Sequence, residues 1–492
     1  MDFLHTEGQN IVDSRGCALR LRGSCAGGWM NMEDFITGHS GAEHTLRHEM
    51  AQVLGASRAE FFFECLLAHF FNESDIAYLR SLGATVVRLP LNYRHFEDDS
   101  APCVYKEAGF ARLDRVLDWC AQHGLYAILD LHAVQGWQNV HWHCDNASRI
   151  SLFWHDAHYQ DRFVALWCEI ARRYQDRAVV AGYNLINEPC VGNQRGDLPW
   201  NVYDNYQPGW PLINAVYRRT VDAIRKIDPR HIIFLEGDRY AQQFAGLDAP
   251  FADNLVYSSH NYTAAGFGPG RYPGVIDLPG PRTAGPEHWD LARQERGFLE
   301  HEGSRFSARH QVPLWVGEFG SVYNGPVSEV PDRLRAMDDQ LGLFERHGAH
   351  WTTWTYKDVG VMGLVTLDPA SEYLQRVGHF IRKKLALGTD DWMQWMPPTL
   401  VKEAVDRLAG QVCEVIGDAS IDRRYAKACF SQSALCFLAG ALLQRSYAKL
   451  FQQLKENDID RVLSSFARQR CLVNAPLEGL VRKHAAAAPQ PA

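Results

Sequence analysis

Eight short runs of apolar, β-prone residues recur along the chain, at 19–24, 85–91, 126–132, 179–188, 231–236, 255–260, 314–318 and 351–356. Between most of them the hydrophobic spacing changes to that of an amphipathic helix, at 110–123, 159–174, 212–227, 287–309 and 331–347. Strands alternating with helices predict a parallel sheet, and eight such strands predict its closure into an α/β fold, the (β/α)8 barrel or TIM barrel. With 492 residues the chain exceeds the roughly 250 of a typical barrel, so further structure is expected around it.

That further structure is also readable. Residues 3–24 alternate like a hairpin at the barrel floor, with Asp13-Ser14-Arg15-Gly16 as its turn. A helical insertion at 43–71 follows strand 1. Leu46, Met50, Val53 and Leu54 line one face of its first helix, Gly55 stops it, and Ser57-Arg58-Ala59-Glu60 has the form of a capping box opening a second. The clusters Phe61-Phe62-Phe63 and Phe70-Phe71 are read as packing residues. Residues 370–384 supply the last barrel helix and close a catalytic domain at 1–385. Residues 386–485 form a C-terminal helical extension with no strand and no chemical motif, and the Ala/Pro-rich tail at 486–492 is expected to be disordered.

Composition narrows the function. A net charge of -8 and a pI near 6.2 supply no basic face for nucleic acid. Aromatic residues make up 12% of the chain, with 14 Trp, which suits stacking on sugar rings. The longest apolar runs, such as 434–443, fall short of the roughly 20 residues of a membrane span. Twelve scattered cysteines without paired spacing, and no leader pattern at the start, point to a reduced, cytoplasmic protein.

The ends of the strands carry the chemistry. Arg88, His132, Asn187, Glu188, Glu236, His260, Tyr262, Glu318 and Trp354 all fall at the carboxyl ends of successive strands, the face that bears the active site in barrel enzymes. Two of them are glutamates at separate strand ends, Glu188 in Asn-Glu-Pro and Glu318 in Gly-Glu-Phe-Gly, and a pair of carboxyls suggests glycosidic bond cleavage. His141-Trp142-His143-Cys144 has metal-ligand types but no second cluster, so no metal and no cofactor are expected. Gly266-Phe267-Gly268-Pro269-Gly270 opens no helix as a phosphate loop would, and no Gly-x-Ser-x-Gly elbow is present.

With these motifs, residues 10–385 resemble glycoside hydrolase family 5, retaining (β/α)8 enzymes that include cellulases, mannanases and exo-β-1,3-glucanases. The resemblance implies Glu188 as acid/base and Glu318 as nucleophile, with Arg88, His132, Asn187, His260, Tyr262 and Trp354 binding substrate. Arg88 is expected beside Glu318, Asn187 at the hydroxyl next to the reacting carbon, and Trp354 under the sugar. Three loops resemble the exo-β-1,3-glucanases: Gly27-Gly28-Trp29 with Glu33, Val87-Arg88-Leu89-Pro90 with Tyr93, and Gln138-Asn139 with Asp145-Asn146. The resemblance implies that Glu33 and Asn146 also contact the substrate, Glu33 closing the pocket on a terminal glucose. The expected activity is exo-acting hydrolysis of terminal β-glucosyl units of a glucan or glucoconjugate. An endo-acting glycanase, a glycosidase for glycolipids, terminal mannose or furanosides, and a non-catalytic carbohydrate-binding barrel are the competing readings.

Overall fold

The computed structural model describes residues 1–192, 206–278, 285–390 and 399–486. Eight parallel strands close into a barrel: β1 (Arg22–Cys25), β2 (Val86–Asn92), β3 (Tyr126–Ala133), β4 (Val180–Asn184), β5 (Ile232–Glu236), β6 (Leu255–His260), β7 (Leu314–Glu318) and β8 (His350–Thr353). Each pairs with its neighbours in sequence, and β8 returns to β1 through Trp351 and Arg22. Every residue of all eight strands is buried. A parallel sheet covered by helices on the outside and filled by side chains on the inside leaves its strands no face to solvent.

The hairpin at the floor is formed by His5–Glu7 and Asn10–Val12, so its turn lies at Gly8 and Gln9. Asp13 to Gly16 makes a second turn, which leads to an isolated bridge between Val12 and Ala18. Leu4 and Ile11 plug the lower barrel against Leu21, Phe234 and Trp315.

Three other expectations need correction. The helix expected at 287–309 is a strand, Glu287–Trp289, followed by two helices, Leu291–Glu300 and Glu302–His310, because Asp290 and His301 each cap a new start. Ser57 caps nothing: the second insertion helix, Ala56–Phe70, starts directly from Gly55. The capping box belongs to the next helix, where Asn72 and Asp75 cap each other's backbone. The extension does contain a strand, Cys471–Val473, which pairs antiparallel with Val365–Leu367. The tail falls, from residue 487 on, outside the described residues.

The insertion and the extension pack on each other beside the barrel. Phe62 lies edge-on to Phe451, with ring centroids 4.8 Å apart, and Phe70 meets Phe466 at 5.3 Å. The apolar run 434–443 lies within a 27-residue helical stretch, Arg423–Lys449, which has the length and composition to cross a bilayer. It is also docked: Gln444 donates to the carbonyls of Ser40 and Ala42, and Tyr447 shares a hydrogen bond with Tyr373.

Candidate active site

A pocket of about 390 Å³ opens over the carboxyl ends of the strands, with Glu188 and Glu318 in its lining. β7 reaches it through a bulge, for Val316 pairs with Ser259 and Glu318 with His260, leaving Gly317 as the extra residue. Bulges beside active sites re-aim a side chain, and here a Cβ at Gly317 would sit 2.7 Å from Ser258 Oγ. A Cβ at Gly320 would meet the Trp354 carbonyl oxygen at 2.3 Å. The two glycines flanking Glu318 are thus set by close approach. β4 stops at Asn184, so Asn187 and Glu188 project from the turn beyond it, Glu188 at φ 46°. That left-handed backbone is uncommon for a non-glycine residue; Glu236 fixes it by accepting from the Glu188 amide at 2.7 Å.

Beneath the pocket lies a charged floor. Arg88 donates from Nη1 to Glu318 at 2.5 Å and from Nη2 to Asn187 at 2.7 Å, and its Nη2 lies 3.1 Å from Asp130 and 3.3 Å from Glu236. Tyr262 donates to the other oxygen of Glu318 at 2.9 Å. His260 Nδ1 is 2.7 Å from Glu188 and 3.5 Å from Glu318. Burial works against a charge on His260, but the surrounding carboxylates of Glu318 and Glu236 outweigh it and hold the imidazole well above its ordinary range. Burial alone would raise Glu236, yet His260 and Arg88 hold it at about 2. Two cations are therefore distributed among the carboxyl groups of the floor.

The wall is built differently. His132 stacks parallel to Trp354, with centroids 5.2 Å apart and planes 4° apart. Its Nδ1 lies 2.8 Å from Asp130 and its Nε2 3.3 Å from both Glu33 and Asn187. Burial lowers His132 to about 3, so the ring is neutral. Glu33 is 4% exposed and lines the pocket; burial, then the facing Glu318 and Glu188, push its carboxyl well above the ordinary range. On the far side His143 Nε2 approaches Glu188 at 3.4 Å, and burial lowers that ring to about 3 as well.

Glu188, His260 and Glu318 bring ligand atoms within 4.8 Å of one another, the spacing of a metal site. Arg88 and the charged His260 already supply the positive charge there, which opposes a dication. The arrangement instead suits two carboxyls acting on one bond. Comparison with known proteins decides the family, since residues 58–360 match the model described as cellulase, glycosyl hydrolase family 5.

The chain belongs to glycosyl hydrolase family 5. It is 35% identical over 491 residues to a β-xylosidase of Phanerodontia chrysosporium, with 96% of each chain covered. A probable glucan 1,3-β-glucosidase A of Emericella nidulans is 25% identical over 374 residues, covering 70% of this chain and 87% of the other. The crystal structure of an endogalactoceramidase shares the fold at 18% identity and a TM-score of 0.51, covering 73% of this chain and 75% of that one. The protein is a glycoside hydrolase with a TIM barrel.

Within this family 5 enzyme the expected residues separate into three groups. Glu33, His132, Glu188, Tyr262, Glu318 and Trp354 line the pocket. Arg88, Asn187 and His260 stand directly behind them and hold them. Asn146 does neither: its amide donates to the carbonyls of Asn139 and Ile150 and its oxygen accepts from Ser148 and Arg149, so it folds its own loop. The aromatic clusters of the insertion are packed inside, and none of them lines the pocket. Residues not expected to contact substrate also reach the site: His141, Trp142, His143, Tyr240 and Gln432 all line it. The His-Trp-His run was the one available signal for the first three.

Proposed function

We propose that the chain is an exo-acting, retaining β-glycosidase that removes single β-xylosyl or β-glucosyl units from the non-reducing end of a glycan or glycoconjugate. One observation carries the reading: a single pocket of about 390 Å³ holds Glu188 and Glu318, with oxygens within 4.8 Å, and a third carboxyl, Glu33, in its wall. Retaining enzymes place their two carboxyls about 5 Å apart, whereas inverting ones need room for a water between them. The relatives named as a β-xylosidase and a glucan 1,3-β-glucosidase support a terminal pentose or glucose. Buried thiols such as Cys25, Cys65, Cys120 and Cys144 support a reducing, cytoplasmic setting.

In this reading Glu318 attacks the anomeric carbon with one carboxylate oxygen, oriented by Arg88 and Tyr262. The glycosidic C–O bond breaks, and Glu188 gives its proton to the departing oxygen. Water then adds to the anomeric carbon of the glycosyl-enzyme, losing a proton to Glu188 and releasing Glu318. Trp354 supplies the flat face under the sugar, and Glu33 takes hydroxyls of the terminal unit.

The test compares p-nitrophenyl β-D-xyloside and β-D-glucoside, with the anomer of the first product followed by NMR. Glu318→Gln should lose turnover by 10³-fold or more, on the order seen when a nucleophile is removed. Glu188→Ala should keep part of its activity on the aryl substrates, which need little protonation, and gain rate with azide. An inverted first product would exclude the double displacement, and early internal fragments from a xylo- or gluco-oligosaccharide would exclude exo action.

A further inference from the structure

The C-terminal extension enters the active site. Its segment Gln432–Ala439 is a π-helix, a rare conformation that recurs at functional sites. It is pinned to the pocket rim: Arg149 donates to Ser433 Oγ at 2.7 Å and lies over the Phe437 ring at 5.2 Å. Gln432 heads the segment, lines the pocket and is only 7% exposed. Its side-chain oxygen is buried yet has no hydrogen-bond partner among the described residues. A buried amide oxygen without a donor is unfavourable, and a ligand bearing a hydroxyl removes the deficit.

The neighbours of this segment say which part of the ligand it meets. Phe437 lies 6.5 Å from His141, which packs edge-on to Tyr240 at 5.3 Å and lies 5.7 Å from His143. His143 in turn faces the Glu188 oxygen that His260 does not hold. Glu188 is the group that protonates the departing oxygen, so whatever leaves sits on this side. We propose that Gln432 is a specificity-determining residue that accepts a hydrogen bond from a hydroxyl of the leaving group, which is accordingly a second sugar rather than an apolar alcohol. The proposal rests on the glycosidase reading above.

The test is Gln432→Leu, which keeps the size and removes the acceptor, assayed on xylobiose against p-nitrophenyl β-D-xyloside, with laminaribiose against the aryl glucoside as the matched pair. Expected is a fall in kcat/KM of about tenfold or more on the disaccharide and less than twofold on the aryl glycoside, which carries no hydroxyl there. Equal falls on both would place Gln432 on the terminal sugar or in the fold, and no fall on either would leave it structural; both results overturn the proposal. Calorimetric binding of the same disaccharides in the Glu318→Gln background reads the contact without turnover: unchanged affinity in Gln432→Leu also overturns it. Loss of all wild-type aryl glycosidase activity would instead strike the glycosidase reading, which this binding comparison does not use.

Discussion

The surroundings of Glu33 make its proton harder to remove than that of a free carboxyl. Burial, and then the charges of Glu318 and Glu188, raise its folded-state pKa well above that of a free carboxyl. The unfolded chain releases this proton near pH 4.3, so above that value folding must take it up again, and stability falls with rising pH. Glu33→Gln is free of this cost. Its melting temperature should therefore exceed that of the wild type by more at pH 8 than at pH 5, the added gap being about 2 °C or larger for a cost of roughly 1 kcal/mol; equal gaps would mean an ordinary carboxyl. Glu33→Ala, which removes the side chain's hydrogen-bonding groups altogether, should lower kcat/KM on aryl glycosides by about an order of magnitude. At this scale the sequence is legible where a residue ends a strand or closely follows one, as Glu318 and Glu188 do. It misleads at Asn146, because a loop resemblance does not say whether an amide faces a ligand or its own backbone. It is silent at Gln432, a glutamine within an apolar helix.

The bulge in β7 is the element on which the two glutamates depend, because it sets Glu318 opposite His260. A side chain at Gly317 would press on Ser258 Oγ at 2.7 Å and on His260 Nε2 at 3.3 Å, and His260 spans both carboxyls. Gly317→Ala should therefore reduce kcat by about 10²-fold, the scale of a 1 Å misplacement, while circular dichroism still reports the folded barrel; unchanged kcat would show that the bulge absorbs a methyl group. Elements defined by long periodic runs were readable, and β6 and β7 fall on the expected residues. Elements defined by a cap or by a partner were not. Asp290 and Asn72 act through local hydrogen bonds that many polar residues could make, and Cys471–Val473 is a strand only because Val365–Leu367 offers an edge.

At the scale of the whole molecule the insertion, the barrel and the extension are joined through Lys357. Its buried ammonium donates to Asp75 at 2.7 Å, to the Phe70 carbonyl at 2.6 Å and to the Phe466 carbonyl at 2.8 Å. Tyr356 donates to the same Asp75 oxygen. Removing one member of a buried ion pair costs about 3–5 kcal/mol, so Lys357→Met should lower the melting temperature by on the order of 10 °C; a loss under 2 °C would show the junction to be dispensable. The three parts were each visible in the sequence, but their junction was not, since a lysine after an aromatic strand end gives no sign of burial.

Lys357 closely follows Trp354, the platform of the pocket, and the groups that secure it come from residues 70, 75 and 466. During synthesis, therefore, the ribosome delivers both glutamates and all eight barrel strands well before it delivers Phe466 and the strand Cys471–Val473. Until then the newborn barrel has its chemical groups but lacks the Phe466 carbonyl that helps secure Lys357, three residues after Trp354, and the π-helix Gln432–Ala439. The active site should thus be completed late in translation, when the extension folds back onto a barrel that has already left the exit tunnel.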